Sequence, residues 1–130
     1  MDKNLQLAKE VLGKVELKLI NKEYKEIKLI ISSYFRLIKI SILNKFKVTD
    51  EEFAYYMSLK NTLDEYFNKA QVLLEEEINK DNFQEAHALT YIVEDLQRAI
   101  RDIEFQKSHK DRENKHKLNK ALPQYRNEQQ

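Results

Sequence analysis

Only two of the 130 residues in this chain, Gly13 and Pro123, belong to the types on which tight turns depend most. Hairpin loops need a positive or a fixed φ at particular positions, and glycine and proline supply them. With one of each, and with Lys, Glu, Leu, Ile, Asn and Gln abundant, the chain favours long helices and few corners. The fold class expected is all-α, a bundle of about four helices built around the single core that a chain of this size supports.

Apolar periodicity places the helices. Leu5, Ala8, Leu12, Val15 and Leu19 step by three and four from an N-cap at Asp2 towards Ile20. Gly13 falls inside that span at a cost of about 1 kcal/mol relative to Ala, which points to close approach of another helix. A second helix is expected from Lys22 to Phe46. Tyr24, Ile27, Ile31, Tyr34, Ile38 and Ile42 line one face, and Leu29, Ile30, Phe35, Leu37, Ile40 and Leu43 thicken it. Lys28–Leu43 is rich in β-branched residues, yet such an unbroken run is too long for a strand in so small a domain.

Thr49 and Glu52 form the pattern of a capping box, in which the hydroxyl accepts the N3 amide and the glutamate reaches back to the cap. Asp50 and Glu51 add anions to the first turn, where the helix dipole favours them. The third helix then carries the stripe Phe53, Tyr56, Leu59, Leu63, Tyr66 or Phe67, Ala70 and Leu74. A fourth begins near Asp81 with a weaker capping box at Gln84. Its seam is Ala86, Leu89, Val93, Leu96, Ile100 and Ile103. After Phe105 the apolar period stops. The expected organisation is therefore a helical domain over 1–105 and a basic, poorly ordered tail over 106–130.

Charge and composition narrow the function. A net charge of +1 conceals segregation: 11 Lys/Arg against 5 Asp/Glu in residues 1–47, 5 against 14 in 48–106, and 7 against 3 in 107–130. An acidic surface and a basic tail suit different partners. There is no cysteine, so disulfides and thiolate metal sites are excluded. His87, His109 and His116 lack the spacing of a zinc site, and no metal or other cofactor is expected. No Gly-rich phosphate loop, nucleophile–base pair or paired catalytic carboxylates stand out, so a non-enzymatic role is expected. The run Leu29–Leu43 is too short to span a bilayer and holds two cations, and the N-terminus lacks the pattern of a signal peptide. A soluble intracellular protein is expected.

Two motifs carry a resemblance. Ile27, Ile30, Ile31, Ser33, Tyr34, Phe35 and Arg36 follow an I-x-x-[IL]-[IL]-x-S-Y-[LF]-R pattern. Thr49, Glu51, Glu52, Phe53, Ala54 and Tyr55 follow S/T-x-E-E-[LF]-A-[FY]. Over about fifty residues the chain resembles the helical domain of GINS replication-factor subunits, of the type in which that domain comes first, as in the eukaryotic Sld-five and archaeal forms. Residues 75–130 lack the alternation of the family's small β-domain, so the resemblance covers the helical domain only. It implies a non-catalytic subunit of a hetero-oligomer, partnered by other GINS subunits, the MCM helicase and a RecJ-like protein. The setting it implies is nucleoid-associated in a prokaryotic cytoplasm, or the nucleus in a eukaryote.

Tyr34, Arg36, Lys39, Glu51, Glu52 and Tyr55 are the candidate partner-interface residues. Arg36 leads them, because a cation within so apolar a helix must be paired or sit at an interface. Lys107, Lys110, Arg112, Lys115, Lys117 and Lys120 are candidates for weak phosphate contact. A small helical DNA-associated or adaptor protein is the alternative reading.

Overall fold

A computed structural model describes residues 1–121, with side chains described through Leu118. The described residues are helices joined by short corners: α1 (Lys3–Leu12), α2 (Val15–Ile20), α3 (Tyr24–Ile38, prolonged by a π-helical turn over Lys39–Leu43), α4 (Asp50–Asn79) and α5 (Phe83–Ala121). The all-α bundle expected from composition is what forms.

The first arm breaks where the sequence carries its glycine. Lys14 N–H bonds to the Val11 carbonyl at 3.1 Å, an i→i+3 step that separates α1 from α2. Gly13 lies on the surface, and a Cβ there would meet only the carbonyls of Glu10 and Lys9. The expectation that it admits another helix is therefore corrected. Glycine weakens the helix locally, and the tighter turn re-aims Val15 and Leu19 into the core.

Cross-helix contacts fix the directions. Asp2 meets Glu52 and Glu16 meets Lys69, so α1–α2 runs parallel to α4. Lys28 lies over Tyr91 and Arg98 over Phe35, so α3 runs parallel to α5. Lys60 faces Glu104 and Lys110 lies over Phe53, so α4 and α5 are antiparallel. Neighbours follow the order α1–α3–α5–α4, with α3 and α4 on a diagonal. The α4–α5 seam is the most extensive, and the seam of α1–α2 with α4 is the thinnest.

The inward stripes close one core. Leu5, Leu12, Ile27, Ile31, Leu59, Leu63, Leu89 and Leu96 are all essentially inaccessible. Burying each aliphatic side chain of this kind contributes about 1.5–3 kcal/mol. In α5, Ile92 is buried where Val93 was expected, and Ala99 joins the stripe. A helix touching two neighbours buries a wider arc than a single heptad seam.

Two corners use left-handed residues other than glycine, Lys22 (φ 58°) and Asp81 (φ 60°). In each, two hydrogen bonds complete the helix end. Glu23 N–H reaches Lys18 O and Lys22 N–H reaches Leu19 O; Asn82 N–H reaches Glu77 O and Asp81 N–H reaches Ile78 O. These are Schellman ends, which satisfy the last carbonyls. Asp81 therefore closes α4 instead of capping α5, a correction to the expected start of the last helix.

The last helix runs on beyond its apolar period: α5 continues past Phe105 to Ala121. Because α4 begins at Asp50, the end of α5 overshoots the bundle. Among the described residues nothing after Ile103 is buried, which is the structural counterpart of the lost apolar period. The segment 122–130, including Pro123, lies outside the described residues.

Candidate partner-binding face

Helix α3 carries the centre of the expected interface, and its two sides behave differently. Tyr24, Ile27, Ile31, Tyr34 and Ile38 face the core, and Ile42 follows from the π turn. That turn closes with Asn44 N–H on the Lys39 carbonyl at 2.7 Å, an i→i+5 bond. The buried Ser41 hydroxyl donates to the Leu37 carbonyl at 2.6 Å. Single π turns inside α-helices are frequent at functional sites.

On the opposite side Leu29 is 69% exposed and Ile40 52% exposed, with Leu43 and Phe46 also exposed. Ser32, Ser33, Arg36 and Lys39 share that solvent-facing surface. Leu29, Ser33, Arg36 and Ile40 step by 4, 3 and 4, which makes them one ridge of the helix, and Leu43 lies beside its end, where the π turn shifts the register. The expectation that Leu29, Ile40 and Leu43 thicken the apolar face of the helix is thus corrected. Arg36 and Lys39 are not buried cations, because the side that bears them has no neighbour within the bundle.

The other expected interface residues separate. Tyr34 is 2% exposed, and its hydroxyl has no hydrogen-bond partner among the described residues. Burial pushes its phenol up, and the nearby Tyr56 and Asp102 add to the effect. It is a core residue. Tyr55 is half-buried with Lys9 over its ring at 5.4 Å, and Glu51 is exposed. Glu52, only 3% exposed, is turned wholly inward. Its Oε2 accepts Lys45 Nζ at 2.7 Å and Asp2 N–H at 2.9 Å, while Oε1 accepts Thr49 N–H at 3.1 Å. Lys45 foremost, then the Thr49 amide, holds this carboxyl down at about 2. The capping box forms as expected, but Glu52 also ties the N-terminus and the π turn to α4. Tyr34 and Glu52 are accordingly removed from the interface.

A second buried carboxylate, Glu77, stands at the end of the acidic run Glu75-Glu76-Glu77 and carries no sign of burial in the sequence. Glu77 is 1% exposed, accepting Lys22 Nζ at 3.0 Å and Asn82 Nδ2 at 2.8 Å. Lys22 and then Asn82 hold it below the usual carboxylate range. Near the same end an open groove of about 420 Å³ lies between α2 and α4, lined by Leu19, Ile20, Val72 and Leu73 with the Glu16–Lys69 pair at its edge.

No family model, curated protein or solved structure matches this chain. Function must therefore be read from its own surfaces. Among the described residues, no three His, Cys, Asp or Glu side chains are gathered as around a metal ion. No described helix is long and apolar enough to cross a membrane.

The basic candidates lie on the overhanging end of α5. Lys107, Lys115 and Lys117 are exposed, Arg112 Nε donates weakly to the Ser108 carbonyl, and Lys110 packs over Phe53 at 5.7 Å. The Lys120 side chain lies outside those described. Sequence reasoning missed Leu29, Ile40 and Leu43 as surface residues. The available signal was that Leu29 and Ile40 share Arg36's ridge, since a guanidinium marks the side of a helix that faces water.

Proposed function

We propose that this protein is a non-catalytic helical subunit that joins other proteins, acting as a GINS-like helical module beside the MCM replicative helicase. The observation that carries the joining role is the uncovered ridge Leu29–Ser33–Arg36–Ile40, with Leu43 exposed beside its end. Apolar residues repeated at helical spacing on an unpartnered face, with an arginine at the centre, have the composition of a protein-binding surface. Ser33 and Arg36 of the GINS-like motif fall on this ridge. The resemblance supplies the replication setting and the expected partners: other GINS subunits, the MCM helicase and a RecJ-like protein.

The test is recovery of the tagged full chain from its own cells, followed by identification of what accompanies it. Wild-type chain should retain MCM and GINS-type subunits, and a Leu29→Ser/Arg36→Glu variant should lose them while keeping its melting temperature. Wild-type recovery free of these proteins would overturn the replication reading. A monomeric wild-type chain with no partner would overturn the joining role as well.

A second reading has its own supporting observation, the cations on every side of the α5 overhang. A small DNA-associated protein would use them for non-specific phosphate contact, with an affinity that falls steeply as salt rises. Wild-type binding to DNA that is lost on truncation after Lys110 would favour it.

A further inference from the structure

We infer that the α3 ridge receives an amphipathic helix of a different protein, one whose apolar stripe is flanked by aspartate and glutamate. The inference rests on the joining role proposed above and specifies the partner's chemistry.

Spacing argues for a helix. The four ridge positions follow the 4-3-4 rhythm by which helices interlock, and Leu29 to Ile40 spans about 16 Å at 1.5 Å per residue. A partner helix of about four turns covers it. Between Leu29 and Ile40 the small, exposed Ser32 and Ser33 allow a partner helix to approach α3 closely.

Charge specifies the flanks. From Ile27 to Thr49 there is no aspartate or glutamate. Five cations lie in that stretch, and two are already engaged: Lys45 by Glu52 and Asp2, and Lys28 over the Tyr91 ring. Arg36, Lys39 and Lys47 have no carboxylate partner among the described residues, whereas Lys18, Lys22, Lys60 and Lys69 each have one. An acid-flanked helix would neutralise these cations, with Arg36 offering a planar two-point contact to a carboxylate.

The same layout disfavours other occupants. A membrane-binding face keeps its centre apolar and its cations at the edges, but Arg36 occupies the middle of this one. A second copy offering the same ridge would set Arg36 and Lys39 against their own like charges. The outer ridge of α4 carries Glu51, Ala54, Ser58, Asn61 and Glu65 and no large apolar residue before Val72, and the exposed side of α5 bears Arg98 and Arg101.

The full chain can be titrated with two synthetic helices of about 18 residues that share a leucine stripe. One is flanked by glutamates and the other by lysines, and vesicles containing phosphatidylglycerol form a third arm. The glutamate-flanked peptide should bind at least about tenfold more tightly and shift backbone amide signals over residues 29–43. Arg36→Glu should reverse the preference without changing the melting curve. Equal affinity for the two peptides, or shifts confined to other helices, would overturn the inference. Vesicle binding lost in Leu29→Ser would reassign the face to lipid. Self-association abolished by Arg36→Glu would reassign it to a second copy. If a photo-crosslinker at Ser33 instead captures MCM or a GINS-type subunit through a segment lacking acids, the joining role stands and this inference alone falls.

Discussion

Lys22 and Glu77 lie 55 residues apart, yet Lys22 Nζ meets Glu77 Oε1 at 3.0 Å. Each also ends a helix. Lys22 is the left-handed residue that closes α2, and Glu77 gives the carbonyl that the end of α4 bonds through Asn82 N–H. With Asn82 Nδ2 on its other oxygen, Glu77 fastens the α2–α3 corner to the α4–α5 corner. Glu77→Ala should therefore lower the urea midpoint, because it removes both contacts that fasten the two corners, and Lys22→Ala should lower it too, because it leaves a buried carboxylate without its cation. A matched Lys60→Ala control, which breaks an exposed pair, should hardly move it. A Glu77→Ala midpoint no lower than the control would show that the clamp contributes nothing to stability.

Glu52 predicts an acid response. Its folded carboxyl sits near 2 against an ordinary 4.5, so the unfolded chain binds the proton more readily. The stabilisation is fully present above about pH 4.5 and is lost as pH falls from there towards 2. Glu77, shifted in the same direction, adds to the effect. Glu52→Gln should be less stable at neutral pH, and its stability should fall less between pH 5 and 3. Parallel pH profiles for mutant and wild type would contradict this assignment.

Asp81 occupies a left-handed conformation that glycine adopts without steric cost. Asp81→Gly should stabilise the protein by about 0.5 kcal/mol after allowing for the greater freedom of the unfolded chain. Thermal melts would register a small rise, and a fall would mean that the Asp81 side chain supports the corner.

Leucine truncations should separate the inner and outer surfaces. Leu63→Ala, in the core between α4 and its neighbours, should cost about 2–5 kcal/mol. Leu29→Ala on the outer ridge should change stability by no more than about 0.5 kcal/mol and weaken partner binding instead. A large loss of stability at Leu29 would show that the ridge packs within the bundle.

The overhang of α5 should be separable from the fold. An isolated helix shorter than about 12–15 residues is marginal in water, and residues 111–118 are all exposed. Amide exchange there should be fast, proteases should cut there first, and truncation after Lys110 should leave the core's melting unchanged. Slow exchange over 111–118 would mean that this end of α5 packs against something.

The sequence alone determined the helices and most of their inward stripes. One glycine and one proline excluded hairpins, the Thr49–Glu52 box fixed the start of α4, and three-and-four spacing found the buried residues of α1 through α4 almost completely. These are local properties, written in neighbouring residues. Which side of α3 faces water was not local. Leu29, Ile40 and Leu43 read as core until the diagonal placement of α3 and α4 left that side without a neighbour. Glu52 read as a capping residue and an interface candidate, and nothing local marked it or Glu77 as buried, because charged residues are seldom buried unless paired and their partners Lys45 and Lys22 come from outside α4. Helix formation depends on a few adjacent residues, but burial depends on what packs across the gap, and only the tertiary structure supplied those neighbours.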